Sequence, residues 1–163
     1  MSLPEGWIPR DDVSYDAGDD DPPRCPGTGK NWMVGLAEGD EGHRIYEIPS
    51  SASFGAIARA FRVGTHGAQS YGYDEDDTVE MVARKLDVIE GIAPGRVIFA
   101  DPAGFKVRFV SPISAEDYPL IEALFPEDEM MQAGLESYIS EWSGTGHPLS
   151  RLCGSDLLHL WWD

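Results

Sequence analysis

From residue 31 the chain begins to alternate. Trp32, Val34 and Leu36 share one side, and Arg44-Ile45-Tyr46-Glu47-Ile48 follows a Glu-Gly-Asp-Glu-Gly connection, a pattern that predicts a β-hairpin. Pro49 with Ser50 or Ser51 is expected to stop the second strand and cap a short helix. In that helix Phe54, Ile57, Ala58 and Phe61 recur at i, i+3, i+4 and i+7, one buried stripe. Arg96-Val97-Ile98-Phe99, a turn at Asp101-Pro102-Ala103-Gly104, and Phe105 to Val110 predict a second hairpin, whose alternation gives one apolar and one basic face.

Between the hairpins lies Gly64-Thr65-His66-Gly67-Ala68-Gln69-Ser70-Tyr71-Gly72-Tyr73, which then turns acidic through Asp74-Glu75-Asp76-Asp77. Three glycines without apolar periodicity predict an exposed, mobile loop. Asp77 with Glu80 fits a capping box, Val79, Val82, Leu86 and Ile89 mark the buried side of the next helix, and Gly91 is its expected stop. Farther on, Tyr118 to Phe125 reads as a short helix. Pro126 suits the first turn of another carrying Met131, Leu135, Tyr138, Ile139 and Trp142, and Asp156 to Asp163 reads as a last strand.

These elements do not repeat as β-α-β units. They predict an α+β fold with a mainly antiparallel sheet, built from two hairpins and a C-terminal strand and covered by three or four helices. Residues 1–30, with an acidic Pro- and Gly-rich stretch around Asp16 to Pro23, read as an irregular arm that Trp7 and Ile8 can pin to a single domain spanning 31–163. A chain of 163 residues, 42% of them apolar, can bury a core without disulfide or metal staples.

Charge narrows the classes of partner. Twenty-nine Asp and Glu against 12 Lys and Arg give a formal net charge of −17, which repels nucleic acid and anionic membranes and attracts basic proteins. Neither a secretory leader nor a membrane-spanning run is evident, so the expected location is the cytoplasm. Cys25 and Cys153 lie far apart and are expected to be free thiols.

Candidate chemistry is sparse. Gly27-Thr28-Gly29-Lys30-Asn31 has neither the first glycine nor the final Ser or Thr of a phosphate loop, and it precedes a strand rather than opening a helix. Ser143 lacks the first glycine of a nucleophile elbow. Neither Asp19-Asp20-Asp21 nor Asp74 to Asp77 has calcium-loop spacing. No cofactor, metal ligand or catalytic residue is therefore assigned.

Phe125 to Leu135, with Pro126, Asp128, Gln132 and Gly134, and the closing Trp161-Trp162-Asp163 resemble the end of the bacterial family called domain of unknown function 4253. The chain departs from that pattern by placing Glu127 before Asp128 and Ala133 before Gly134, and it has no cysteine just ahead of the proline. The resemblance implies no activity. Adjacent tryptophans on a strand point to opposite faces, so one should be buried and the other should sit on a rim.

The expectation is a non-catalytic acidic binding protein, with an immunity-type inhibitor that neutralises a basic toxin such as a nuclease as its specific form. Tyr71 and Tyr73 would anchor the partner, while Asp74, Glu75, Asp76 and Asp77 would steer it. One alternative is a hydrolase or metal-dependent enzyme assembled from scattered residues, for instance His66 with Asp74 to Asp77. The other is a plain regulatory or interaction domain whose acidity serves solubility.

Overall fold

A computed structural model describes residues 3–10, 30–36, 42–124 and 154–162. The expected helix after Pro126, both cysteines and most of the acidic arm lie outside them. The described strands are β1 (Ile8–Pro9), β2 (Lys30–Leu36), β3 (His43–Pro49), β4 (Gly95–Asp101), β5 (Gly104–Phe109) and β6 (Leu157–Trp161); the helices are α1 (Phe54–Ala60), α2 (Thr65–Tyr71), α3 (Glu75–Ile92) and α4 (Tyr118–Glu122).

The six strands form one sheet in the order β1-β3-β2-β4-β5-β6. All neighbours are antiparallel except β2 and β4, which run parallel with Val34 opposite Phe99. Both hairpins and the closing strand form as the sequence predicts, and the fold is α+β. A β-bulge between Val97 and Phe99 resets the alternation, so that Val97 and Ala100 both join the core.

One face of the sheet meets the helices. There Met33, Tyr46, Ile48, Phe105, Val107, Leu158, Leu160 and Trp162 pack with Phe54, Ile57, Phe61, Leu86 and Ile89. This face takes the parity of Met33 and Gly35, not that of Trp32, Val34 and Leu36. Gly35 is required here, because a Cβ would lie 2.5 Å from Phe61 Cε1. Phe61 thereby packs edge-on to Tyr46, with centroids 5.3 Å apart, and Tyr46 donates its hydroxyl to Leu36 O at 2.8 Å. Val34, Ile45 and Ile98 are also fully buried, so apolar residues run through both parities. Trp162 is buried and Trp161 stands 36% exposed, the opposite-face arrangement expected of adjacent tryptophans.

Several helix ends differ from the sequence reading. The cap of α1 is Ser53 rather than Ser50 or Ser51, its side chain accepting from Ala56 N at 3.0 Å. Carboxylates from α3 complete that end: Asp87 Oδ1 accepts from Gly55 N at 2.8 Å and Glu90 Oε1 from Phe54 N at 3.0 Å. Helix α3 runs through Gly91 to Ile92, since glycine alone does not stop a helix whose backbone bonds continue, and Ala93 N still donates to Ile89 O.

Candidate functional site

The Gly64 to Asp77 segment is not a loop. Residues 65–71 form α2, and the flanking glycines supply its ends: Gly64 at φ +97° and Gly72 at φ +74° adopt left-handed geometry that side chains resist. Two contacts fix the helix. Gly64 N and His66 N both donate to Pro102 O in the β4–β5 turn, and Gly67 lies against Trp162, where a Cβ would come within 3.0 Å. Small residues that look like flexibility in the sequence are here a close-packing device.

Asp74, rather than Asp77, caps α3, its carboxylate accepting from Asp77 N at 2.9 Å. Glu75, Asp76 and Asp77 then fill the first turn, where the helix macrodipole favours anions. The six predicted contact residues thus sit on one α2–α3 junction. Tyr71 ends α2, Tyr73 is 38% exposed, and Asp74, Asp76 and Asp77 face solvent.

This acidic turn already holds a guanidinium. Arg62 Nη2 lies 3.0 Å from Asp76 Oδ1 and 3.8 Å from Glu75 Oε2. Arg62 itself has φ +51°, a left-handed conformation that is costly for a side-chain-bearing residue. Beyond it Arg59 forms a two-pronged bond to Glu80, at 3.0 and 2.9 Å, and holds that carboxyl below its ordinary range. Asp77 and Glu80 also border an open depression of about 440 Å³ with Met81, Arg84 and Lys85.

His66 is exposed on α2, and among the described residues no ion pair or hydrogen bond joins its side chain to Asp74–Asp77. The structure instead groups titratable residues on the sheet face away from the helices. His43 Nε2 lies 2.9 Å from Asp101 Oδ2, while Asp101 Oδ1 accepts from Ala103 N at 2.8 Å and Gly104 N at 2.7 Å. Phe99 lies beside His43, with ring centroids 5.1 Å apart, and Lys106 Nζ stands 5.4 Å from the Phe99 centroid on the other strand. His159, opposite Lys106 across β5 and β6, is pushed down to about 4 by burial, with the Lys106 ammonium adding to the effect and Asp101 opposing it. It is therefore neutral near pH 7.

The sequence signal for this second cluster is the basic face of β5 together with the parity shared by His159 and Trp161. Sequence cannot show that His43, two strands away, reaches Asp101. Among the described residues, no three His, Cys, Asp or Glu side chains gather as a metal site requires, and no helix is long and apolar enough to cross a membrane. No family model matches the chain, and no curated protein or solved structure matches it.

Proposed function

We propose that this protein is a non-catalytic binding protein of the immunity or adaptor type, which engages a basic protein partner such as a nuclease toxin through the acidic turn opening α3. The observation that carries this reading is the Arg62 guanidinium already seated between Asp76 and Glu75. It supports the spacing of these carboxylates as one that can grip an arginine, the side chain whose fork suits carboxylates best. Asp77 and Tyr73 extend the same surface, and the net charge of −17 would accelerate encounter with a cationic partner.

The test is capture from a native lysate at low salt, using the wild-type chain and a Glu75→Gln, Asp76→Asn, Asp77→Asn triple variant. A stoichiometric basic protein held by the first and not by the second supports the reading. Equal retention moves the surface elsewhere, and recovery of no basic protein counts against the function.

A second reading, an acid–base enzyme such as a hydrolase, is favoured by one observation, the His43–Asp101 pair. A carboxylate that orients an imidazole is half of a general-base arrangement. The described residues place no serine, threonine or cysteine in a bond to His43, so the binding reading has the stronger support. The resemblance to domain of unknown function 4253 brings no activity to either reading.

A further inference from the structure

The Lys106 ammonium is half-buried and, among the described residues, has no carboxylate within ion-pair distance. In a chain with 29 acidic and 12 basic residues, a cation without a counter-ion among the described residues is unexpected. Its surroundings are aromatic. Phe99 lies beneath it, and Gly104 brings Phe99 and Trp161 together, since a Cβ there would stand 3.3 Å from a ring atom of each. Trp161 meets His159 edge-on at 6.1 Å and remains 36% exposed.

We infer that Lys106, Phe99 and Trp161 form a site for a small aromatic carboxylate, a function separate from the acidic turn on the opposite side of the sheet. The ligand's ring would lie against Phe99 and the exposed edge of Trp161, and its carboxylate would meet Lys106. Charge selects the anion. Lys106 supplies one positive charge, and His159 is neutral. Among the described residues Asp101 is the nearby negative group, and its oxygens are engaged by two backbone N–H groups and by His43. The glycine at 104 and the flat rings select a planar body, because aromatic faces and edges pair in offset or edge-on contact.

The test is an amide NMR titration of the full chain at physiological ionic strength, where the long-range repulsion from net negative charge is screened beyond about 8 Å. Sodium benzoate, benzamide and inorganic phosphate are compared up to about 10 mM, a range suited to ligands of this size. Benzoate should give saturable shifts at Phe99, Gly104, Lys106 and Trp161, with benzamide and phosphate each weaker by about tenfold, because one lacks the charge and the other the ring. Lys106→Met, which keeps the apolar stem, should weaken benzoate by about tenfold and leave benzamide unchanged. Absence of saturable benzoate shifts at these amides, equal binding of benzamide, or unchanged benzoate binding by a folded Lys106→Met chain would each overturn the site. Phosphate binding as well as benzoate would overturn its aromatic half. The three-ligand comparison uses the wild-type chain, so it decides even if the variant fails to fold.

Discussion

His43 reaches across β2 to place Nε2 2.9 Å from Asp101 Oδ2, and so joins the start of β3 to the end of β4. The other oxygen of Asp101 ties down the β4–β5 turn through Ala103 N and Gly104 N. Pro102 in that turn accepts from Gly64 N and His66 N of α2, and Ala103 O accepts from Trp162 N after β6. One largely buried carboxylate therefore organises the corner where two strands, a helix and the C-terminal strand meet.

Replacing Asp101 with Ala should lower stability by about 2–4 kcal/mol, since it leaves two backbone donors and one histidine without their acceptor. Asn can still accept from the turn through its carbonyl, so Asp101→Asn should recover a large part of the loss. Urea unfolding of the two variants measures the difference. Equal destabilisation by Ala and Asn would show that the charge facing His43, and not the turn, carries the effect.

The His159 imidazole is held down to about 4 from its ordinary 6.5, chiefly by burial. Between these values the unfolded chain binds the proton and the folded chain does not, so this residue favours unfolding increasingly as pH falls from about 6.5 toward 4. Above that window both states are neutral, and the contribution is flat. Protonation of the many carboxylates relieves repulsion over part of the same range, so the informative quantity is the wild type minus His159→Gln. That difference should fall with acidification across the window, and a pH-independent difference would contradict the buried, neutral assignment.

Gly35→Ala should destabilise the fold by about 1–3 kcal/mol, because the new methyl would meet Phe61, and that ring is packed between Trp7 and Tyr46 without room to retreat. Thermal unfolding measures it. The double variant Gly35→Ala, Phe61→Leu should show less than the sum of the two single losses, because the smaller side chain removes the clash.

Much of this architecture is legible in the sequence because its signals are local. Phe54, Ile57, Ala58 and Phe61 declare α1 by their spacing, and Phe105, Val107 and Phe109 declare the buried side of β5. The segment from Gly64 to Tyr73 misleads because its glycines signal freedom, whereas Gly67 is small so that α2 can approach Trp162, a contact made across 95 residues of sequence. Asp74 and Asp77 exchange roles for a simpler reason. Both are competent caps three residues apart, and the backbone turn at Gly72 and Tyr73 selects the earlier one. The His43–Asp101 pair has no sequence signature, because it depends on strand order.

Arg62→Gly separates the two roles of that residue. Glycine relieves the left-handed backbone at φ +51°, which should offset the loss of exposed ion pairs worth about 0–1 kcal/mol. The melting temperature should stay within about 4 °C, the shift equivalent to about 1 kcal/mol in a domain of this size. Asp76 and Glu75 would lose their internal cation, so binding of a basic partner should strengthen. Weakened binding would show that Arg62 belongs to the contact surface.

The central claim is that the first turn of α3 recognises a guanidinium-bearing partner, and not that a highly acidic chain attracts any cation. The most direct measurement is the association rate of a fluorescent arginine-rich peptide, followed by stopped flow at low and high salt. It compares the wild type with two variants of equal charge change: Glu75→Gln, Asp76→Asn, Asp77→Asn in the turn, and Glu116→Gln, Asp117→Asn, Glu122→Gln around α4. The turn variant should slow association by about fivefold or more at low salt, converge with the wild type as salt screens the charges, and dissociate faster, while the α4 variant should stay within about twofold. Equal slowing by the two variants would contradict the claim and leave only the field of the whole chain.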